Sequence, residues 1–586
     1  MIVKRHNEYN ALIATNSQSE LKWCQEVMDG RKVRSKNQII VPLKSLVHLE
    51  WLKETIEFIK FEDDMKDITN SLIKKKKMRM ANIGILKSKS VEFDYDYKGP
   101  YDVMAHQKIM YNAMMYTDAC AILGDPGTGK TLSYIMAIDK KIQLGKVKRT
   151  LIVTLSSLKK NVHIEVGVQA PHLSSIYLKD KEHSDRVLNK RFKNVKRNID
   201  YDIYIANYES MNVLKDLIPV GFFDMVILDE AHRVGSPSTN QTKAIIDTFE
   251  NVKYKYIATG TLVANNLMSF YMPFRFMGAD TIPYSNYYTF RSQYMRTVDP
   301  DKRIWVPLAG SNQKVTEIIG GLSVQFRKED CLDLPDLIFK KVYCTMSKDQ
   351  KKTYNTAKEK MSIQIDSVCN ECEFSNECDR KTCINDDFII DNALVLARKL
   401  HQLASGFFIN SKVVVDDNGN EKTIKKYIDF EIQAKLSALI DVINEIPKDR
   451  KVIIWTSYTH SVETIRDKLM DKYGSDSVVT GYQSQDSFGQ VELFKDKKVR
   501  FLVANTTKMG TGLNIQFSNY QIFYDNSFSF VVRDQAIGRQ HRKGQDNKVT
   551  VYDLITSNTI DEHVIEVLDE KKDLSITLTQ LAKILK

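Results

Sequence analysis

No apolar run in the 586 residues approaches the roughly 18 needed to cross a bilayer as a helix. The N-terminus, Met-Ile-Val-Lys-Arg-His-Asn-Glu, has no signal-peptide core. These two absences exclude a helical membrane span, leave no membrane partner to expect and predict an intracellular protein. Low-complexity segments and short-period repeats are missing too, so a packed globular chain is expected. Cysteine is scarce, at eight residues. Cys24, Cys120, Cys331 and Cys344 are scattered and read as ordinary thiols.

What is present is ordinary in bulk and specific in pattern. The length implies several domains, because single cores rarely exceed about 250–300 residues. Hydrophobic residues make up 43% and charged residues 27%, as in soluble globular proteins. The formal charge of +11 permits a polyanionic partner without demanding one. Nearly half of it, a net +5, falls within residues 1–95. There Gly30 to Arg34 reads as a basic turn, and Ile39 to Leu43 is an apolar run. A helix is expected over Ser45 to Ile59, and Lys74 to Lys77 with Arg79 forms a second basic patch. That region reads either as a small DNA-contacting module or as a packing domain with solvated lysines.

From Tyr97 onward, short β-branched runs alternate with longer mixed segments, which predicts parallel sheets with crossover helices. One series is Leu151–Val153, Ile203–Ile205, Met225–Leu228 and Tyr256–Ala258. A second starts near residue 430, with Val452–Trp455, Phe501–Val503, Ile522–Tyr524 and Val549–Tyr552. Two α/β domains follow.

The stretch Gly124-Asp125-Pro126-Gly127-Thr128-Gly129-Lys130-Thr131 fills every fixed position of G-x-x-x-x-G-K-[ST]. It follows the apolar run Ala119 to Leu123 and precedes an expected helix, Leu132 to Ile142. Strand, glycine loop and helix N-terminus together form a phosphate cradle. Gly124, Gly127, Thr128 and Gly129 would line it, Lys130 would reach the β- and γ-phosphates, and the Thr131 hydroxyl would ligate Mg²⁺. About 100 residues on, Asp229-Glu230-Ala231-His232 closes the run Met225 to Leu228, at the end of a strand where α/β sheets bind ligands. Asp229 would hold Mg²⁺ and Glu230 would orient the attacking water. Arg539 and Arg542 stand three apart, hence on one face if helical, and would stabilise γ-phosphate charge across an interdomain cleft.

These stations resemble those of a superfamily-two helicase-type motor of the Swi/Snf-type DNA translocase family, from about Tyr101 to Val567. Ala105-His106-Gln107 resembles the adenine-reading glutamine motif, and Leu151 to Leu158 resembles motif Ia. Asp229 to Arg233 matches Asp-Glu-Ala-His-Arg, and Thr259 to Leu267 resembles Thr-Gly-Thr-Pro-x-x-Asn-Asn-x. Leu334-Pro335, then Gln350 to Tyr354, resembles the segment joining the two motor halves. Gln535-Ala536, Arg539, His541-Arg542 and Gly544-Gln545 match motif VI. Departures are Asp125-Pro126 and Thr128 in the phosphate loop, and Leu262 in place of the usual Pro. The stretch Thr507 to Asn514 is shorter than motif V of chromatin remodellers and looks more like bacterial and annealing-helicase members. The N-terminal region resembles the HARP-type module of annealing helicases, which recognises branched or forked DNA.

The resemblance implies an α/β fold: two RecA-like parallel-sheet domains, a helical cysteine-bearing insertion and a small N-terminal α+β module. The expected boundaries are 1–95, 96–340, 341–395, 396–562 and 563–586, the last a helical segment. It implies a DNA-dependent ATPase using ATP and Mg²⁺, with Gln107 and Gln535 added to the nucleotide site and Ser156, Asn266 and Lys508 gripping DNA. Cys369, Cys372, Cys378 and Cys383 lie within fifteen residues, and a local cluster in an intracellular protein points to metal before disulfides. Four thiolates can close a structural zinc site, with an iron–sulfur cluster as the rival. The expected task is remodelling of forked or branched double-stranded DNA by branch migration, annealing or fork reversal. Replication, recombination or transcription proteins are expected partners, and the expected setting is the cytoplasm of a bacterial or virus-infected cell rather than a nucleus. The compact outline favours a repair motor over a chromatin remodeller. Two alternatives stand beside it: a motor that displaces RNA polymerase or other proteins from DNA, and a DNA-binding scaffold with a silent ATPase core.

Overall fold

A computed structural model describes residues 1–33, 37–52, 59–62, 64–88, 92–189, 200–260, 267–299, 304–360, 393–415, 421–482, 487–509 and 514–570. The chain divides into two compact units, Met1–Cys331 and Leu332–Lys586.

The first unit holds two sheets. The smaller runs in the order Arg31–Lys32, Gln38–Pro42, Asn10–Ala14, Ile2–Arg5, Lys60–Phe61. Its pairs are antiparallel except the last, which is parallel. Burial alternates along Asn10–Ala14 and Gln38–Pro42, so one face carries Ala11, Ile13, Ile39 and Val41 inward. Helix Gln18–Val27 covers that face with Leu21, Cys24 and Val27. Ser17 caps it, its hydroxyl accepting from the Glu20 N–H. The N-terminal region is therefore an α+β module.

Of the helix expected over Ser45 to Ile59, the described part begins as a 3₁₀ turn, Leu43–His48, and continues as an α-turn, Leu49–Leu52; residues 53–58 lie outside the described residues. Ser45 to Leu49 are all buried, because this segment wedges against the larger sheet domain rather than lying on a surface. Ser285 N–H donates to Val27 C=O at 2.9 Å, and His48 Nε2 lies 3.2 Å from Ser285 Oγ. The Lys74–Lys77 patch sits on the long helix Met65–Ser88, with the Lys75 and Lys77 side chains largely exposed. Lys75 pairs with Asp118, while Lys76 and Lys77 pair with Glu50. Arg79 is buried between Asp118, at 2.9 Å, and Asp280, at 2.7 Å.

The larger sheet is all parallel, in the order Ser323–Phe326, Ala119–Gly124, Tyr254–Thr259, Met225–Asp229, Thr150–Thr154, Ile203–Asn207, Ser175–Tyr177. Its inner strands are buried along their whole length, as unbroken apolar runs require when helices cover both faces. One core gathers Leu151, Val153, Leu228 and Ile257 with Phe270 and Phe274; the other gathers Ile122, Ile152, Ile205 and Ile227 with Ile135 and Ile138.

The second unit holds a six-stranded parallel sheet, ordered Leu337–Cys344, Val549–Thr556, Tyr520–Phe523, Val452–Thr456, Phe501–Asn505, Val478–Gly481. The edge strand Leu337–Cys344 moves a boundary: the first domain ends at Cys331 rather than 340, because eight residues here pair with Val549–Thr556. Helix Lys348–Lys360 lies within the expected insertion 341–395 and Ala393–Ala404 crosses its end, while Ile560–Asp569 overlaps the start of the expected C-terminal helical segment 563–586. An antiparallel ribbon, Phe407–Val415 with Glu421–Asp429, is additional. Cys369, Cys372, Cys378 and Cys383 lie outside the described residues, as do Asn266 and 571–586. Each unit thus holds one RecA-like parallel-sheet domain, the first together with the N-terminal α+β module.

Candidate active site

The carboxyl ends of four neighbouring strands set the site in the first unit. Gly124, Thr154, Asp229 and Thr259 are the last residues of their strands. Register keeps them level: Thr259 pairs with Leu123, and Asp229 pairs with Ala258.

The phosphate loop leaves Gly124 and enters helix Lys130–Gln143. Gly127 and Gly129 take φ of 94° and 81°, where an L side chain is strained. A Cβ on Gly129 would also lie 1.9 Å from Gln107 Nε2. Thr128 turns its hydroxyl back to Asp125 C=O at 2.9 Å. Lys130 is buried, its ammonium donating to Gly124 C=O at 2.6 Å. Thr131, the second residue of the helix, is half-buried beside it. Asp125 ties the loop to the adjacent strand: its N–H donates to Phe326 C=O, and its carboxylate accepts from Lys328 N–H at 2.9 Å.

Gln107, expected to read adenine, has its side chain on this loop. Its Nε2 donates to Thr128 C=O at 3.4 Å, and its Oε1 accepts from Met104 N–H at 3.0 Å, capping its own helix. His106 Nε2 adds a contact to the same Thr128 carbonyl at 2.8 Å.

Asp229 is buried and accepts from Thr154 Oγ at 3.0 Å. Burial raises its carboxyl pKa, the neighbouring Glu230 raises it further, and Lys130 opposes both. Tyr208 holds the backbone there, donating to Asp229 C=O at 2.7 Å. Glu230 takes φ 57° and ψ 49°, the left-handed region, which is uncommon for a residue with a side chain. The turn throws its carboxylate off the strand line beside His232, whose Nδ1 lies 3.4 Å from Glu230 Oε2 and 3.2 Å from Thr259 Oγ. Chemically, the site can hold a polyphosphate on backbone donors and Lys130, a hard dication on Thr131 and Asp229, and a water on Glu230. The small hydroxyls of Thr259-Gly260-Thr261 were expected to bond the carboxylates, and Thr259 reaches His232 beside Glu230; the hydroxyls of Thr154 and Tyr208 were not singled out by the motifs. Only their placement at strand ends could have signalled them.

In the second unit the arginines are arranged differently from expectation. Helix Phe530–Ile537 ends before them, so Arg539 and Arg542 lie in turns rather than on one helical face. Arg539 is buried, and its Nε donates to Gln535 C=O at 3.0 Å; Arg542 bonds Asn514 Oδ1. Gln540 and Gln545 anchor the turns, their amides donating to Ser518 Oγ and Ser518 C=O at 2.9 Å each. Gln535 itself is buried on that helix. Of the expected DNA contacts, Ser156 is exposed just past strand Thr150–Thr154, and Lys508 is exposed in the turn Thr506–Met509, its ammonium 3.2 Å from Tyr482 C=O.

A profile of the SNF2-related domain matches residues 105–387, and one of the helicase conserved C-terminal domain matches residues 434–544. The chain belongs to the SNF2-type, superfamily-two helicase-like ATPase family. Among relatives, the "uncharacterized ATP-dependent helicase MG018" of Mycoplasma genitalium is 24% identical over 77% of this chain and 40% of its own. The ATP-dependent helicase fft1 of Schizosaccharomyces pombe is 25% identical over 80% of this chain and 52% of its own. The DNA repair and recombination protein RAD54B of Gallus gallus is 24% identical over 79% and 52%. The chain thus spans about half the length of these relatives, or less.

Proposed function

We propose that the chain is a DNA-dependent ATPase, an ATP- and Mg²⁺-driven translocase on double-stranded DNA that remodels forked or branched structures. The observation that carries the ATPase is the level row of Gly124, Thr154, Asp229 and Thr259 under a complete phosphate loop. Lys130 turns from its loop carbonyl to the β- and γ-phosphates. Thr131 and Asp229 would hold Mg²⁺, which would supply positive charge where burial first, and Glu230 next, raise the Asp229 pKa. Glu230, placed off the strand by its left-handed backbone, orients and polarises the attacking water. Arg539 and Arg542 take the role of transition-state arginines.

DNA as substrate is supported by family membership and by relatives named for DNA repair and recombination. Ser156, Lys508 and Asn266 are assigned to the DNA strand. The exposed Arg31 and Lys32, on the edge of the N-terminal sheet, are assigned to the fork. Cys369, Cys372, Cys378 and Cys383 are assigned to structural zinc. The test is ATP turnover of the wild type and Lys130→Ala with no nucleic acid, single strands, linear duplex and a fork. Stimulation by duplex or fork well above single strands, lost in Lys130→Ala, upholds the reading. Turnover indifferent to every nucleic acid overturns it.

A further inference from the structure

We propose that Tyr288, Arg291 and Trp305 form a site for one unpaired nucleotide of a DNA strand, the Tyr288 ring taking the base and the Arg291 guanidinium its phosphate. The inference rests on the DNA-motor reading above and deepens it, by giving the first unit a site for single-stranded DNA.

The helix Tyr287–Tyr294 starts from a firm cap: Asn286 Oδ1 accepts from the N–H groups of Tyr288 and Thr289, at 2.9 and 3.1 Å. Arg291 follows Tyr288 by three residues and Tyr287 by four, so all three share one face of the helix. The strand Ile304–Pro307 brings Trp305 to that face, and the Arg291 guanidinium lies over the indole, 3.9 Å from the ring centre. The rings of Tyr288 and Tyr287 stand 5.4 and 5.8 Å from it.

Three aromatic rings thus hold one cation, and no carboxylate neutralises it. Among the described residues the Arg291 side chain makes no hydrogen bond or ion pair, and its Nε is buried. Buried donors are normally partnered, because leaving one unmade is costly. Leucine or methionine would pack against the same rings without an unpaired charge, so packing alone does not account for arginine here. Stacking on the indole keeps the guanidinium flat, and its free edge matches two oxygens of a phosphodiester.

Tyr288 supplies the other half of the site. It is 61% exposed, on the turn next to the guanidinium. One exposed aromatic is unremarkable by itself, but a ring beside a basic group is the means by which single strands are bound. Bases inside a duplex have both faces covered by their neighbours, so the ring selects an unpaired one. In sequence, residues 286–310 carry Arg291, Arg296, Lys302 and Arg303 against Asp299 and Asp301. The site also adjoins the N-terminal module: Ser285, one residue before the cap, donates its N–H to Val27 C=O at 2.9 Å. A fork presents unpaired arms beside duplex, which suits a neighbour of that module.

The measurement is fluorescence anisotropy of the full chain with a labelled oligo-dT strand, a blunt duplex and a fork with unpaired arms, each over a salt series. Tyr288→Ala weakens single-strand and fork binding about 10-fold and leaves blunt-duplex binding unchanged. Arg291→Ala lowers the slope of log affinity against log salt on the single strand by about 0.7, and Arg291→Lys, which keeps the charge, does not. Single-strand affinity of Tyr288→Ala equal to wild type overturns the proposal while leaving the motor reading intact. An equal loss on all three DNAs, as a packing role would give, or a salt slope unmoved in Arg291→Ala, overturns it too. Wild-type protein that binds none of the three DNAs would overturn the DNA reading and this inference together.

Discussion

Replacing Glu230 should make the protein more stable and far less active, because two separate costs meet at that residue. The first is backbone: φ of 57° places a side-chain-bearing residue in the left-handed region, at roughly 1–2 kcal/mol. The second is charge: Glu230 and the buried Asp229 are both carboxylates, and the pair raises the Asp229 pKa. At an effective dielectric of about 20, two unit charges about 5 Å apart repel by about 3 kcal/mol. Partial protonation of Asp229 relieves some of this, leaving about 1–2 kcal/mol for Glu230→Gln to recover. Glu230→Asn recovers the same charge term and part of the backbone term, since Asn tolerates the left-handed region. For a unit of this size about 1 kcal/mol moves the melting midpoint by roughly 2 °C. Without Mg²⁺ and nucleotide, melting of the first unit should therefore rise by a few degrees in Glu230→Gln and further in Glu230→Asn. Saturating Mg²⁺-ADP should shrink the gain, because the dication cancels the repulsion. Turnover should fall about 10²–10⁴-fold in both. Destabilisation of both variants, with or without Mg²⁺, would refute the reasoning.

Other outcomes follow from the same geometry. Arg79→Ala leaves Asp118 and Asp280 facing each other without their buried cation, and should cost about 3–5 kcal/mol, read as a lower melting midpoint of the first unit. His48 is neutral in the fold: burial first, then Lys76 and Arg275, push its pKa down to about 3, against the pull of Asp280. A base so depressed contributes stability that is full above its unfolded pKa near 6.5 and is lost as the pH falls from there towards 3. At about pH 5 the loss is roughly 2 kcal/mol, and His48→Gln should flatten the pH dependence of melting over that range. Arg539→Ala and Arg542→Ala should each cut turnover about 10³-fold or more while leaving nucleotide affinity of the first unit unchanged. Purified protein should carry about one zinc per chain by elemental analysis, lost in the Cys369→Ser, Cys372→Ser double variant.

The strands were legible because parallel-sheet strands buried on both faces are written as unbroken apolar runs, and each run named in the two series falls on a strand, with only Tyr524 lying one residue past its end. The edge strand Leu337–Cys344 was not, because most of its residues are exposed and its pattern is mixed. The phosphate loop and Asp229-Glu230 were legible because their chemistry fixes residue types at fixed spacing. The supports Thr154 and Tyr208 were not: they reach the site through tertiary placement that no local pattern encodes. Spacing misled at Arg539 and Arg542, where a three-residue interval suggested a helical face but Gly538 closes the helix one residue earlier.

Arg79 has a mechanical consequence. Asp118 stands at the foot of strand Ala119–Gly124, and the phosphate loop stands at its head, about 20 Å away along a strand of six residues. Arg79 belongs to the helix Met65–Ser88, which also braces Glu50 in the N-terminal module through Lys76 and Lys77. A tug on that module is thus delivered to the base of a rod whose tip carries the nucleotide cradle. The strand is stiff along its length, being hydrogen-bonded on both sides.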